Sequence, residues 1–317
     1  MEAVKISAII NFLEAELALD GGIRRQNQGD DFFIDGFSSL ECAGPSDVSF
    51  WSGHTKNVTN ANGYSQESLN QVRAGVLFVP FDTPEGVFVN VKCVCEVQNT
   101  YHAMVTFLNK FAFEQRETYR HRSVVVGPGC VIMPGAVIGK GCVLEANVTI
   151  YPNVVIGEGC VFQAGAVIGS RGFGFYEYQG KRRMVPHFAG VRIGDHCSFG
   201  ANTVVAAGFV SPTMIGNNCH FDSMVQIGHN CVLHDNIYMA SQSALGGSTI
   251  VESGVDIAGG AKAAGHLTIG KGAVITAKAG VTKSVPPGRT VAGFPAVEVG
   301  TWRRSMVYLR QIGKKGE

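Results

Sequence analysis

The feature that most constrains this chain is an internal period of six. Taking one residue in six from Val126 gives Ile132, Ile138, Leu144, Ile150, Ile156, Phe162 and Ile168, all apolar. The register then breaks, resumes at Ile193, Phe199 and Val205, and breaks again. It runs finally from Ile215 through Phe221, Ile227, Leu233, Met239, Leu245, Val251, Ile257, Ala263, Ile269, Ile275 and Val281. Of these 23 positions only Ala263 is small. Four residues after most of them stands a second small or apolar side chain, such as Ala136, Val148, Val154 or Thr203, and six of the nine cysteines occupy that column. Gly, Asn and Asp fill the spaces between and supply turn conformations. A two-residue alternation would give a flat sheet and a 3.6-residue period a helix, whereas one inward aliphatic in six suits a coil that turns a corner after each hexapeptide. Three hexapeptides close a triangular coil, so the repeats predict about seven to eight stacked coils sharing one continuous core.

The rest of the chain divides around this solenoid. Residues 1–120 lack the period and read as a mixed α/β domain: an opening helix, β-like runs such as DFFIDGFSSL and AGVLFVPF, and a helix near Tyr101 to Phe113. Residues 121–295 form the coil, and SVPPGRTVAGFPA ends it because Pro286 and Pro287 cannot donate to a strand ladder. Residues 296–317 are expected to be helical and basic, with Arg303, Arg304, Arg310, Lys314 and Lys315. The first break in the repeats, residues 169–192, is a long loop rich in aromatics and cations, suited to contact with an anionic substrate. The 26 Lys and Arg nearly balance the 25 Asp and Glu, so no overall field favours nucleic acid. No run of 18 apolar residues suggests a membrane span, the first twenty residues carry Glu2, Glu14 and Glu16 rather than a signal peptide, and a cytoplasmic protein is expected. The cysteines form no CxxC pair, and Cys93 and Cys95 alternate as strand residues do.

The hexapeptides resemble those of the hexapeptide acyltransferases, a resemblance that implies a mainly β, left-handed parallel β-helix working as a homotrimer. Two histidines in the repeats, His229 in VQIGHNCVL and His266 in AAGHLTIG, project from the coil walls; taken alone, each reads as an ordinary exposed side chain. QIGHN, then LGGS beginning sixteen residues after that histidine, then AAGHLTIG, resemble the UDP-3-O-acylglucosamine N-acyltransferase (LpxD) family. The GFGF loop, the N-terminal domain, and AGFPA followed by Trp302 and a helix extend that likeness over nearly the whole chain. The resemblance implies His229 as general base, the Gly247 N–H as oxyanion donor, and Asp222, Gln226 and His266 as substrate contacts. It also implies Phe50 in a uridine pocket and Gly280 at the position that limits acyl length. The implied donor is an acyl chain on acyl carrier protein, the acceptor a UDP-sugar, with no metal or other cofactor. The pattern departs at Gly53 and Lys56, where Asn and Tyr are expected beside Phe50, and at Ala206 to Gly208, where the family has Asp-Arg-Gly. These departures leave open a transferase for another amino sugar nucleotide, with coenzyme A as an alternative donor. They also leave open a noncatalytic paralogue, against which the presence of both His229 and Gly247 argues. His229 and His234, five residues apart, further raise a γ-type carbonic anhydrase, which needs a third histidine from the region of His187 and His196.

Overall fold

The computed structural model describes residues 2–25, 31–38, 40, 42–51, 69–111, 117–293 and 297–314. Gly53 and Lys56 fall outside them, as do residues 294–296 and Lys315.

The hexapeptides build a three-walled parallel β-helix whose walls hold eight, nine and eight short strands. The first wall begins at Tyr119–Arg120, the second at Val125–Val126 and the third at Val131–Ile132. The chain thus enters the coil two residues before the expected boundary, because Tyr119 and Arg120 pair with Val137 and Ile138. Within an uninterrupted coil the register advances by eighteen residues, as in Val137 against Val155 and Val143 against Val161. Every repeat position from Ile138 to Val281 is buried except Ala263, which is partly so. Phe162, Phe199 and Phe221 stack at 4.8 and 4.9 Å inside the second wall.

Each coil turns its corners through residues in the left-handed region. Asn147, Asn153, Asn202, Asn218, Asn230 and Asn236 all have φ between 52° and 59°, a conformation that Asn tolerates better than most side chains. The expected column of small residues lies just inside these corners. Cys142, Cys160, Cys197, Cys219 and Cys231 are buried, and each thiol donates to a carbonyl one coil further on, at Gly157, Gly194, Gly216, His234 and Gly246, over 3.1–3.2 Å.

The N-terminal domain is a five-stranded sheet whose order is Arg24–Arg25, Cys93–Val97, Val76–Pro80, Asp47–Phe50 and Gly36–Phe37. Side chains of its central strands alternate between two apolar clusters, as a period of two requires. Val76 and Phe78 face helices α1 (Ile6–Glu16) and α2 (Thr100–Phe111), while Leu77 and Val79 meet Leu40, Leu69 and Phe88 on the other side. Helix α3 (Val299–Lys314) leaves the top of the coil with Trp302 and Leu309 more than half exposed. No helix among the described residues is long and apolar enough to cross a membrane.

Residues 169–192 are more ordered than an expected loop. Phe175–Tyr178 and Lys181–Met184 form an antiparallel hairpin. Its tyrosines dock on the N-terminal domain: Tyr176 is hydrogen-bonded to His102 Nδ1 at 2.8 Å, and Tyr178 stacks on the His102 ring and hydrogen-bonds to Asp20. The hairpin aromatics therefore tie the two domains together, a role composition alone did not assign.

Phe199 lies between two other rings in a core one side chain wide, so Phe199→Ala is expected to cost about 3–5 kcal/mol. The check is a lower denaturation midpoint at fixed protein concentration, against no change for Phe173→Ala, whose side chain is 87% exposed.

Candidate active site

Both breaks in the six-residue register fall at one corner, where the third wall hands over to the first. The hairpin segment leaves the third wall after Val167–Ser170 and rejoins the first at Val191–Ile193. One coil later, residues 207–212 bulge between Val204–Ala206 and Thr213–Ile215. On the next coil the same corner carries His229 and Asn230, then Gly247 and Ser248, then Gly265 and His266. Backbone bonds from Ser248 to His229 and from His266 to Gly247, 2.8 and 2.9 Å, set this vertical register. The insertions below and the regular corners above enclose a cleft of about 490 Å³ whose lining includes His187, Phe209, His229, Ser248 and His266. Tyr101 of the N-terminal domain closes one side.

The tautomer of His229 follows from its neighbour. Asn230 Oδ1 accepts the Phe209 N–H at 3.1 Å while Asn230 Nδ2 donates to the Ser211 carbonyl at 2.8 Å, which fixes which amide atom is the oxygen. His229 Nδ1, 3.1 Å from that Oδ1, must then be the donor. Its Nε2 is left with a lone pair and has no hydrogen-bond partner among the described residues, the state a general base needs.

Gly247 lies against this ring. A Cβ there would sit 2.7 Å from both Cε1 and Nε2 of His229. Among the described residues its N–H makes no hydrogen bond, so an unpaired donor stands beside the basic nitrogen. His266 occupies a left-handed corner at φ 60°, in register with Asn230 and Ser248, and is exposed.

The remaining expected residues spread over other surfaces. Gln226 points outward from the third wall in a column with Ala244, Lys262 and Gly280. Gly280 is exposed with open space where a Cβ would stand. Asp222 sits at the preceding corner and does not orient His229 within the chain. Its carboxylate instead accepts the N–H groups of Ser223 and Ser241 at 2.7 and 3.2 Å, so the orienting role falls to Asn230. Phe50 belongs to the N-terminal core, with one face stacked on Phe78 at 4.9 Å. Ala206 and Ala207, where a charged pair was expected, are buried. Among the described residues no three His, Cys, Asp or Glu side chains converge as a metal site would require, and His234 lies one wall beyond His229.

One cleft residue entered the sequence reading only as a possible third histidine of a zinc site. His187, on the hairpin segment, has its ring centroid 4.8 Å from that of His229. Burial, then the neighbouring His229 and more weakly Arg171, pull its pKa down to about 4 against the opposing Val185 hydrogen bond.

A three-walled hexapeptide coil with an imidazole base and a free backbone donor at one corner has the architecture of a hexapeptide acyltransferase. The sequence model for bacterial transferase hexapeptides (six repeats) matches residues 121–152 and 135–170, and that for the hexapeptide repeat of succinyl-transferase matches residues 190–222. The UDP-3-O-acylglucosamine N-acyltransferase 1 of Sulfurimonas denitrificans is 32% identical over 314 residues, spanning 90% of this chain and 95% of that protein. The UDP-3-O-acylglucosamine N-acyltransferase of Caulobacter sp. strain K31 is 41% identical over 152 residues, 48% of this chain and 45% of that one. Among solved structures, Francisella novicida UDP-N-acetylglucosamine acyltransferase aligns with a TM-score of 0.52 and 26% identity over 61% of this chain and 70% of that chain. The chain belongs to the UDP-3-O-acylglucosamine N-acyltransferase family.

Two outcomes follow from this geometry. Gly247 has an ordinary φ, so Gly247→Ala is expected to fold normally yet displace the imidazole, lowering acyl-transfer kcat by about 10²–10³-fold in a steady-state assay. His187 is harder to protonate folded than unfolded, so it favours the unfolded state as pH falls from about 6.5, the unfolded value, to about 4. Acid unfolding followed by circular dichroism should show a shallower loss over that window in His187→Gln.

Proposed function

We propose that this chain transfers an acyl or 3-hydroxyacyl group from acyl carrier protein to the amino group of UDP-3-O-acylglucosamine, in lipid A assembly. The observation that carries the reading is the pairing of a free His229 Nε2 with the unpaired Gly247 N–H at stacked corners of one cleft. As the sugar amine attacks the thioester carbonyl, His229 Nε2 takes a proton from nitrogen, and the Gly247 N–H stabilises the negative oxygen of the tetrahedral intermediate. Collapse breaks the C–S bond, His229 returns the proton to sulfur, and the products are an amide and a free carrier thiol. This chemistry uses no metal or other cofactor.

We place the enzyme in the cytoplasm as a homotrimer. The outward column of the first wall supports self-association: Tyr119, Val137, Val155, Met214, Val232 and Ile250 are apolar, and Arg192 is its one charged residue among the described strands. Such a strip is an association surface on a monomer. The exposed cations Arg303, Arg304 and Arg310 on α3 suit the acidic surface of a carrier protein. Native mass spectrometry should give three times 33.7 kDa. Met214→Lys, at the centre of the column, should shift it to the monomer.

A second acceptor, a different amino sugar nucleotide, is favoured by the buried alanines at 206 and 207 and by the stacking of Phe50 on Phe78. Both acceptors are tested by mass spectrometry of acyl transfer with wild type and His229→Ala in parallel. Transfer to UDP-3-O-acylglucosamine by wild type, reduced by about 10²–10⁴-fold in the variant, supports the reading. No transfer to that acceptor, with transfer to another amino sugar, replaces the substrate while leaving the base in place.

A further inference from the structure

The cleft holds two imidazoles, and the reaction drawn above uses one. His187 is 4.8 Å from His229, centroid to centroid, with the rings inclined at 58°. Its Nδ1 lies 3.0 Å from the Val185 carbonyl, which can only accept, so Nδ1 carries the hydrogen and Nε2 the lone pair. Among the described residues Nε2 has no hydrogen-bond partner. It is also open to solvent, because no described side-chain nitrogen or oxygen is both buried and unpartnered. With its pKa near 4 the ring is neutral at physiological pH. Gly172 keeps the two rings close: a Cβ there would lie 2.6 Å from His187 Nε2 and 2.7 Å from His229 Cβ. Two imidazoles, each with an Nε2 that has no partner among the described residues, thus line one cleft.

An amine and a hydroxyl differ in what they can offer such a pair. A neutral amine has two N–H groups, whereas a hydroxyl has one O–H. One nitrogen donating to two acceptors at hydrogen-bond length along tetrahedral directions requires the acceptor atoms roughly 5 Å apart, and rings whose centroids are 4.8 Å apart bring their Nε2 atoms within a range that includes that spacing. We infer that His187 is a specificity residue that accepts the second N–H of the acceptor amine while His229 takes the first, so that the cleft selects a nitrogen over an oxygen nucleophile. A hydroxyl in the same place satisfies one imidazole and leaves the other without a donor from the substrate. The inference rests on the acyl-transfer reading above and extends it from the base to the choice of nucleophile.

The test compares UDP-3-O-acylglucosamine with UDP-3-O-acylglucose, its 2-hydroxy counterpart, on wild type, His187→Leu and His187→Gln. Binding is measured by titration calorimetry at pH 8.5, where the sugar amine is neutral, and transfer by mass spectrometry. In His187→Leu the amine should lose about 5- to 150-fold in affinity or kcat/KM, the range for one hydrogen-bonding group left unmet. The hydroxyl analogue should change by less than about twofold, and His187→Gln, whose Oε1 can accept, should recover most of the amine preference. A purely structural role would lower both ligands together, and that result, or an unchanged amine preference in both variants, overturns the inference. If His187→Leu does not fold, His187→Ala, which likewise removes the acceptor, reads the same ratio. Failure of wild type to transfer to UDP-3-O-acylglucosamine is a separate result and strikes the reading beneath it.

Discussion

Everything in this molecule depends on the chain's ability to turn the same corner repeatedly. An extended hexapeptide buries its aliphatic side chain and then must turn onto the next wall within a few residues, which requires a left-handed backbone at the corner. Asn and Gly supply it, and the backbone bonds between neighbouring corners hold successive turns in line. Without that alignment His229, Gly247 and His266 would be three unrelated residues eighteen and nineteen positions apart. With it they form a vertical strip in which an imidazole, a backbone donor and a second imidazole have fixed heights.

The site arises where this regularity is suspended. On two successive coils the third-to-first corner is replaced by inserted segments, and the next coil bears His229. The insertions bring in what a bare coil lacks: Phe209 and Ser211 fix the Asn230 amide, and His187 sits beside the base. The hairpin also reaches the N-terminal domain through Tyr176, Tyr178, His102 and Asp20, so one segment touches both the cleft and the neighbouring domain. A rigid ladder gives position, and the departures from it give chemistry.

Much of this is legible in the sequence, and the remainder is hidden for definable reasons. The hexapeptide column gives the coil, its inward residues and the cysteine corners, because a period repeated that often admits one geometry. His229 and Gly247 follow from the QIGHN and LGGS motifs. That both register breaks sit at a single corner was also available: Ile168 and Val205 precede the breaks and Ile227 precedes His229, all three on the same wall. Three contacts were not legible. Asp222 is near His229 in sequence but a corner away in space. The partner of His229 is decided by the Asn230 amide, which depends on Phe209 and Ser211 from another coil. His187 falls inside an aperiodic stretch, where no pattern says which way a side chain will point.

The place of the site along the solenoid has its own consequence. Coils touch only their neighbours, so a stack of this kind frays from its two ends, and opening in the middle requires breaking contacts on both sides. His229 follows the fifth of eight strands in the third wall, as far from either end as the stack allows. The reactive corner is therefore the slowest part of the coil to open, and local melting of the first or last turns leaves the spacing of its groups untouched.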